Sequence, residues 1–236
     1  MKNIHINPSD LSLIFWNKIL NNAYLKQISF RSDFFSKIDS LDELRSQSTY
    51  NTGSISSTTA WLLFSICLYY KPQTILEIGS FIGKSTFSMA FAADTYNKEK
   101  ESEIYCCDYS NEIIFPKLTK TKITQFHKTK STLMFRTIDK KIKIDLIHID
   151  GRVQSKDFEI MKDRISENTL IIFDDYEGIE KGTINWINLI NNGVLSRDTH
   201  CLINPIQNQV AKSYHLIEPS NTAVVIPISS LRFTPQ

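Results

Sequence analysis

The sequence predicts an α/β fold in which helices cover both faces of a mostly parallel sheet, with N-terminal helices and an antiparallel C-terminal hairpin. Two observations predict it. After Pro72, short apolar runs rich in β-branched residues alternate with segments of helical spacing, which is typical of parallel strands joined by crossover helices. After Gly193, two strand patterns follow each other with no helix between them, which indicates an antiparallel pair at the sheet edge.

Residues 1–50 are predicted to form a helical cap, and residues 51–236 a single domain. One helix starts near Pro8 and a second helical pattern covers Asp33–Leu44. Aromatic residues are frequent in this part, namely Phe15, Trp16, Tyr24, Phe30, Phe34 and Phe35. We expect the cap to pack on the domain; a lid over the active site and a subunit contact are the alternatives.

The elements of the domain follow in a regular order. Strands are predicted over Thr74–Ile78, Ile104–Cys107, Ile123–His127, Ile144–Ile149, Leu170–Phe173, His200–Ile203 and Ala223–Ile228. Helices are predicted over Thr58–Tyr70, Lys84–Ala93, Thr132–Ile138, Phe158–Ile165 and Ile179–Ile190.

Composition excludes several classes of protein. With 27 basic and 25 acidic residues and no long basic block, we expect no nucleic-acid partner. The longest apolar run, Trp61–Tyr70, is half the roughly 20 residues that span a membrane, so no membrane partner is expected. No CxxC pair occurs, and reduced thiols in a cytoplasmic protein are expected for Cys67, Cys106, Cys107 and Cys201.

Four strands of the predicted sheet end in acidic or polar residues, namely Glu77–Ser80, Asp108, Asp150 and the pair Asp174-Asp175. The carboxyl ends of parallel strands meet at one edge, where open α/β sheets bind their ligands. The sequence therefore places the functional site at this edge.

The turn after the first strand, Glu77–Thr86, permits two interpretations. Gly83-Lys84-Ser85, with the acidic pair after the fifth strand, is similar to the phosphate loop of NTPases. In that loop, four residues separate the first glycine from the Gly-Lys-Ser/Thr, whereas here three residues separate Gly79 from Gly83. The NTPase is therefore the weaker alternative.

The second interpretation is the E-x-G-x-x-x-G turn of class I methyltransferases, formed here by Glu77, Gly79 and Gly83. An acidic residue suits a ligand with a sulfonium and an ammonium group and no phosphate. Asp108 is placed to accept hydrogen bonds from ribose hydroxyls, and Ser131 lies near the expected adenine position.

From Gly53 to about Gly182 the chain resembles class I O-methyltransferases, closest to the catechol-type, macrolide-sugar and cephalosporin-biosynthesis branch. Three passages carry the resemblance: 75–86 (ILEIGSFIGKST), 145–151 (DLIHIDG) and 170–176 (LIIFDDY). It implies a Rossmann-like fold and S-adenosylmethionine as cofactor. The implied cofactor-binding residues are Glu77, Gly79, Ser80, Gly83, Ser85, Asp108, Ser131 and Asp150.

In that branch one Asp after the fourth strand and an acidic pair after the fifth bind a divalent metal, usually Mg²⁺. The matching residues are Asp150, Asp174 and Asp175. Three converging carboxylates repel one another, and a cation relieves this repulsion. The alternative is that Asp174 caps a helix and Asp175 is solvated.

The implied mechanism is activation of the acceptor hydroxyl by the metal and in-line attack on the methyl carbon. Relatives carry His or Lys three residues after the metal-binding Asp, where this chain has Val153. The general base is therefore unassigned; Arg152 is too basic, and the candidates are His148 and Lys156, so Asp150 and His148 are the predicted catalytic residues.

The predicted function is methylation of a hydroxyl on a small molecule, such as a sugar, a phenol or another natural product. The alternatives are a metal-independent N- or O-methyltransferase, the NTPase and a catalytically silent binding protein. The sequence does not identify the methyl acceptor. The N-terminal aromatics and Asn204–Gln209 are candidate contributors to the acceptor pocket. Association of the chain with copies of itself is left open.

Overall fold

The computed structural model describes residues 8–50, 53–96, 101–110, 119–195, 199–203 and 220–227 of the 236-residue chain. Side chains at 8–9, 23–31 and 226–227 are outside this description, which includes Tyr24 and Phe30 of the predicted cap. Asn204–Gln209, a predicted contributor to the acceptor pocket, also lies outside the described residues. Within the described ranges, no helix combines the length and apolar character needed to cross a membrane.

The described part of the chain forms one sheet of seven strands in the order β3-β2-β1-β4-β5-β7-β6. They are β1 Thr74–Ile78, β2 Glu103–Cys107, β3 Lys122–Phe126, β4 Leu146–Ile149, β5 Leu170–Phe173, β6 Thr199–Ile203 and β7 Ala223–Pro227. The first five are parallel, whereas β7 runs antiparallel to both β5 and β6. The predicted fold class, including the antiparallel C-terminal pair, is confirmed.

The strand register determines which residues meet at the functional edge. Ile78 of β1 pairs with Cys107 of β2 and with Ile149 of β4, and Ile149 in turn pairs with Phe173 of β5. The residues that follow these four partners are Gly79, Asp108, Asp150 and Asp174, so they leave the sheet at one edge. Register alone thus gathers the residues that the sequence predicts for the site.

In the described ranges, six α-helices cover the two faces of the sheet: α1 Pro8–Gln47, α2 Ser57–Tyr70, α3 Lys84–Tyr96, α4 Ser131–Thr137, α5 Ser155–Lys162 and α6 Ile184–Asn191. Most bounds differ from the predicted ones by less than one helical turn. Two differences are larger. The two predicted N-terminal helices are one continuous helix, because no Gly or Pro interrupts Ser9–Gln47. The predicted helix Ile179–Ile190 begins as a π-helical turn, Ile179–Thr183, before α6.

Alternate strand residues supply two apolar layers, one on each face of the sheet. On one face, Ile75 of β1 packs with α1, α2 and α3. There the ring of Phe34 in α1 lies within 6 Å of the rings of Trp61, Phe64, Phe87 and Phe91. On the other face, Leu76 packs with α4, α5 and α6. The predicted packing of the N-terminal aromatics on the domain is visible for Phe34 and for Trp16, whose indole N–H donates to the carbonyl of Leu202 at 3.2 Å. The boundary at residue 50 between cap and domain stays a prediction.

Candidate active site

A cavity of about 560 Å³ opens at the carboxyl edge of the parallel strands. Four residues predicted from the sequence lie in its wall, namely Gly79, Asp108, Ser131 and Asp150. Tyr50, just after α1, also lines it, and the ring of Tyr50 is 5.6 Å from that of Phe81. The segment that follows the N-terminal helix therefore contributes to the cavity.

The turn after β1 needs glycine at Gly79. Its φ is +89°, and a Cβ built there would lie 2.5 Å from the carbonyl oxygen of Asp150. Any side chain would strain the backbone and push the turn away from the end of β4. The contact brings the β1 turn and Asp150 together at the cavity wall.

Four amide groups of this turn are already hydrogen-bonded within the protein. Those of Gly79 and Ser80 donate to the carbonyl of Cys107, and that of Gly83 donates to Ser80 at 2.7 Å. The amide of Phe81 donates to the carboxylate of Asp108 at 2.8 Å. A phosphate loop requires such amides to point at the phosphates, so these four amides are not available for that role.

Lys84, the counterpart of a phosphate-binding lysine, also points elsewhere. Its ammonium contacts both carboxylate oxygens of Asp42 on α1, at 2.8 and 2.9 Å, and its side chain is 4 % exposed. Lys84 joins the N-terminal helix to α3 and is not part of the cavity wall. This geometry argues against the NTPase alternative.

Two backbone amides fix the orientation of the Asp108 carboxylate at the end of β2. One carboxylate oxygen accepts from the amide of Phe81, and the other accepts from the amide of Ser110 at 2.6 Å. A carboxylate oxygen has more than one acceptor site, so both can still accept from the hydroxyls of a ribose. Ser131 also lines the cavity, and its hydroxyl donates to the buried carboxylate of Asp157.

Glu77 lies inside the protein and not at the cavity. It is fully buried, accepts a hydrogen bond from the hydroxyl of Thr86 and lies 3.1 Å from Nδ1 of His148. Ser80 and Ser85 are also buried, and neither they nor Gly83 belong to the cavity wall. Cofactor binding by Glu77, Ser80, Gly83 and Ser85 stays a prediction, and the structure shows Glu77 as a link between β1, α3 and β4.

The three predicted metal ligands do come together. One carboxylate oxygen from each of Asp150, Asp174 and Asp175 lies within 4.8 Å of the other two. Asp174 is buried and accepts from the hydroxyl of Thr222 at 3.0 Å, so it does not cap a helix. Carboxylate oxygens are the donors that Mg²⁺ prefers, and the set fits a divalent cation.

Electrostatics in this cluster oppose full ionisation. Burial, together with the charge of Asp174, raises the pKa of Asp150 to about 7. Burial, with the charge of Asp175, likewise raises the pKa of Asp174, although the nearby His148 opposes this. A bound cation would relieve the repulsion and keep all three groups ionised.

Lys181 contacts the cluster and was not predicted from the sequence. Its ammonium lies 2.7 Å from Asp150 and 2.9 Å from Asp175, and the side chain lines the cavity. Burial lowers its pKa, but the two carboxylates outweigh that effect, so the pKa is raised and the amine is protonated. In its charged form it is not a general base.

The π-helical turn positions Lys181. A Cβ at Gly182 would lie 1.9 Å from the carbonyl oxygen of Tyr176, so only glycine permits this contact. The buried amide of Asn185 donates to the carbonyls of Lys181 at 2.7 Å and Gly151 at 2.8 Å, and accepts from the amide of Val153. Asn185 therefore joins the loop after β4 to the turn that carries Lys181.

His148, a predicted catalytic residue, does not reach the cavity. It is fully buried on β4, and its Nε2 has no hydrogen-bond partner among the described residues. Burial lowers the pKa of His148, but the hydrogen bond and charge of Glu77 outweigh it and raise the pKa. Arg152, the other charged residue nearby, pairs with Glu180 at the cavity rim. A catalytic role of His148 stays a prediction.

A second cavity of about 510 Å³ adjoins the first. Both walls include Glu180 and Lys181, while Asp175, Glu177 and Asn221 belong to the second. The acidic cluster thus lies between two cavities, with Asp150 facing one and Asp175 the other.

Residues 76–176 match a protein family described as "Methyltransferase domain". This part of the chain is therefore similar to methyltransferase domains. The match covers β1 to the loop after β5, the part that supplies Gly79, Asp108, Asp150, Asp174 and Asp175. No curated protein sequence matches the chain.

Solved structures with a similar fold include three methyltransferases whose structures contain S-adenosylmethionine or S-adenosylhomocysteine. The O-methyltransferase of Bacillus cereus in complex with S-adenosylhomocysteine (SAH) has a TM-score of 0.57 at 13 % identity, covering 90 % of this chain and 98 % of that chain. TomG of Streptomyces achromogenes is an O-methyltransferase of tomaymycin synthesis in complex with S-adenosylmethionine. Its TM-score is 0.55 at 11 % identity, and the match covers 80 % of this chain and 88 % of that chain. The SAH-bound methyltransferase PaMTH1 of Podospora anserina has a TM-score of 0.52 at 13 % identity, and the match covers 82 % of this chain and 87 % of that chain. The predicted resemblance to class I methyltransferases is confirmed.

Proposed function

We propose that this methyltransferase transfers the methyl group of S-adenosylmethionine to a hydroxyl oxygen of a small molecule, with a divalent cation, Mg²⁺, held by Asp150, Asp174 and Asp175. One observation carries the proposal: the acidic cluster lies at the junction of two cavities. Such an arrangement lets two ligands meet at one point. Fold neighbours that hold S-adenosylmethionine or SAH support the choice of the methyl donor.

The first cavity suits the methyl donor. Its volume of about 560 Å³ lies within the roughly 300–1,000 Å³ of small-molecule sites. Gly79 lets a ligand approach the backbone, and Asp108 offers two preoriented carboxylate oxygens to ribose hydroxyls. Negative charge at Asp150 favours a cationic sulfonium over a phosphate chain.

The second cavity suits the acceptor. It begins at Asp175 and Lys181, beside the cluster, and its other described walls are polar or acidic apart from Ile179 and Gly178. When bound, S-adenosylmethionine supplies an electrophilic methyl group, and the cation lowers the pKa of the acceptor hydroxyl. The chain positions the two ligands for in-line transfer. The rings of Tyr50 and Phe81, which line the first cavity, limit the access of water to it.

A metal-independent methyltransferase is the second candidate, and one observation favours it. Lys181 already places a positive charge between Asp150 and Asp175. If that charge sufficed, the acceptor would be an acidic hydroxyl or an amine, because the protonated Lys181 cannot accept its proton.

Calorimetry tests the proposal, with S-adenosylmethionine, SAH and ATP as ligands, each with and without Mg²⁺. We expect heat from both adenosyl ligands and none from ATP. Heat from ATP alone would refute the assignment. The variant Asp175→Ala, outside the first cavity, is expected to bind SAH as the wild type does and to lose stimulation of methyl transfer by Mg²⁺. Full activity of both proteins in chelator would favour the metal-independent candidate.

A further inference from the structure

We propose that Lys181 is an internal counter-ion that competes with the divalent cation for Asp150 and Asp175. Cation binding then requires the lysine ammonium to leave these two carboxylates. The inference rests on one part of the proposed function, that the acidic cluster holds a divalent cation.

The distances make the two cations mutually exclusive at these carboxylates. The ammonium lies 2.7 Å from Oδ1 of Asp150 and 2.9 Å from Oδ2 of Asp175, which is full hydrogen-bond contact with both. Mg²⁺ approaches carboxylate oxygens to about 2.0–2.1 Å. An ion that binds both carboxylates would therefore occupy the space of the ammonium and would be repelled by its charge.

Charge explains why the lysine does not simply replace the metal. The three carboxylates carry three negative charges when ionised, and Lys181 supplies one positive charge. Two negative charges remain while the lysine is paired, in a cluster where Asp174 is 7 % exposed, whereas a divalent cation that displaces the lysine neutralises two of the three charges. We infer that the lysine stabilises the cluster before the cation binds.

The backbone of Lys181 is fixed, whereas its side chain has room to move. Its carbonyl accepts from buried Asn185, and the next residue, Gly182, packs on Tyr176. The side chain itself is 35 % exposed and lines both cavities. Release of the ammonium therefore needs a rotamer change and no movement of the sheet, and it places the amine beside the acceptor cavity.

Titration of the full chain with Mn²⁺ tests the inference, read out by calorimetry and by the electron paramagnetic resonance signal of free Mn²⁺. Lys181→Met removes the charge and keeps the length, and Lys181→Arg keeps a cation. Lys122→Met is the matched control, because Lys122 forms one exposed ion pair, with Glu103. We expect Lys181→Met to bind Mn²⁺ about tenfold more tightly than the wild type, with Lys181→Arg and Lys122→Met within about twofold of it.

A purely structural role of Lys181 would give the opposite result, since loosening the cluster weakens cation binding. Unchanged or weaker Mn²⁺ affinity in folded Lys181→Met would overturn the proposal, and Lys181→Gln provides the same test if the Met variant does not fold. Absence of Mn²⁺ binding in every variant would also overturn it. SAH binding, measured on the same proteins, tests the methyl-donor site separately: its absence in the wild type would contradict the proposed function and leave the Mn²⁺ result interpretable.

Discussion

The ion pair between Lys84 and Asp42 distinguishes the turn after β1 from a phosphate loop. In an NTPase, loss of the loop lysine removes a phosphate ligand and abolishes nucleotide binding. Here the ammonium points away from the cavity and contacts α1. We expect Lys84→Met to bind SAH within about threefold of the wild type, a difference below 1 kcal/mol.

The stability of variants at this pair should be asymmetric. The Lys84 side chain is 4 % exposed and that of Asp42 is 44 % exposed. Asp42→Ala leaves a buried ammonium that contacts the Ser57 hydroxyl at 3.4 Å. Removing one partner of a buried pair costs about 3–5 kcal/mol, whereas exposed pairs contribute about 0.2–1 kcal/mol. We expect about 2 kcal/mol for this half-exposed pair, or about 4–8 °C in the unfolding midpoint.

Lys84→Met should cost less, about 0–1 kcal/mol, because it removes the buried charge and leaves Asp42 in water. The double variant should resemble Lys84→Met alone. Thermal unfolding followed by circular dichroism measures all four proteins, and calorimetry with SAH measures binding. A greater loss of stability in Lys84→Met than in Asp42→Ala, or loss of SAH binding in Lys84→Met, would refute the reasoning.

Three further predictions concern the cavity and the core. Asn185→Ala removes three buried hydrogen bonds and should lower the free energy of unfolding by about 2–3 kcal/mol in urea denaturation; a loss below about 0.5 kcal/mol would contradict the role of Asn185 as a link between loops. Gly79→Ala should weaken SAH binding in calorimetry by at least about tenfold, since its Cβ would meet the Asp150 backbone; unchanged affinity would show that the turn can shift freely. Burial raises the pKa of Cys107 to about 12 and that of Cys201 to about 11, so at pH 8 both stay protonated in the folded protein. Mass spectrometry after iodoacetamide should then find both unmodified until denaturant is added.

The strand pattern predicted the fold and the gathering of the acidic cluster because parallel strands place their following residues at one edge. Asp108, Asp150 and Asp174 follow β2, β4 and β5, and this much requires only the strand ends and the sheet type. The positions of Glu77 and His148 were less predictable. Both lie on strands, and only the register shows that they face each other inside the protein.

Lys181 was missed because the helix that carries it starts irregularly. A regular helix over Ile179–Ile190 was predicted, but the first turn is π-helical, which changes the direction of each side chain in it. The contact of Gly182 with the backbone of Tyr176 determines this geometry. A glycine in a helical pattern beside an acidic pair was the available signal, and its meaning depends on tertiary contacts that a single sequence does not display.

The antiparallel end of the sheet imposes an order of events on chain synthesis. β6 is made before β7, yet in the described part of the chain it pairs with β7 and with no other strand. Because β7 lies between β5 and β6, β6 can join the sheet only after β7 has been synthesised. Trp16 bonds to Leu202 of β6, so that link from the first helix, made at the start of translation, closes only after residue 227 has emerged. A nascent chain that ends before residue 222 would contain Gly79, Asp108 and Asp150 of the first cavity but would lack Thr222, whose hydroxyl donates to Asp174.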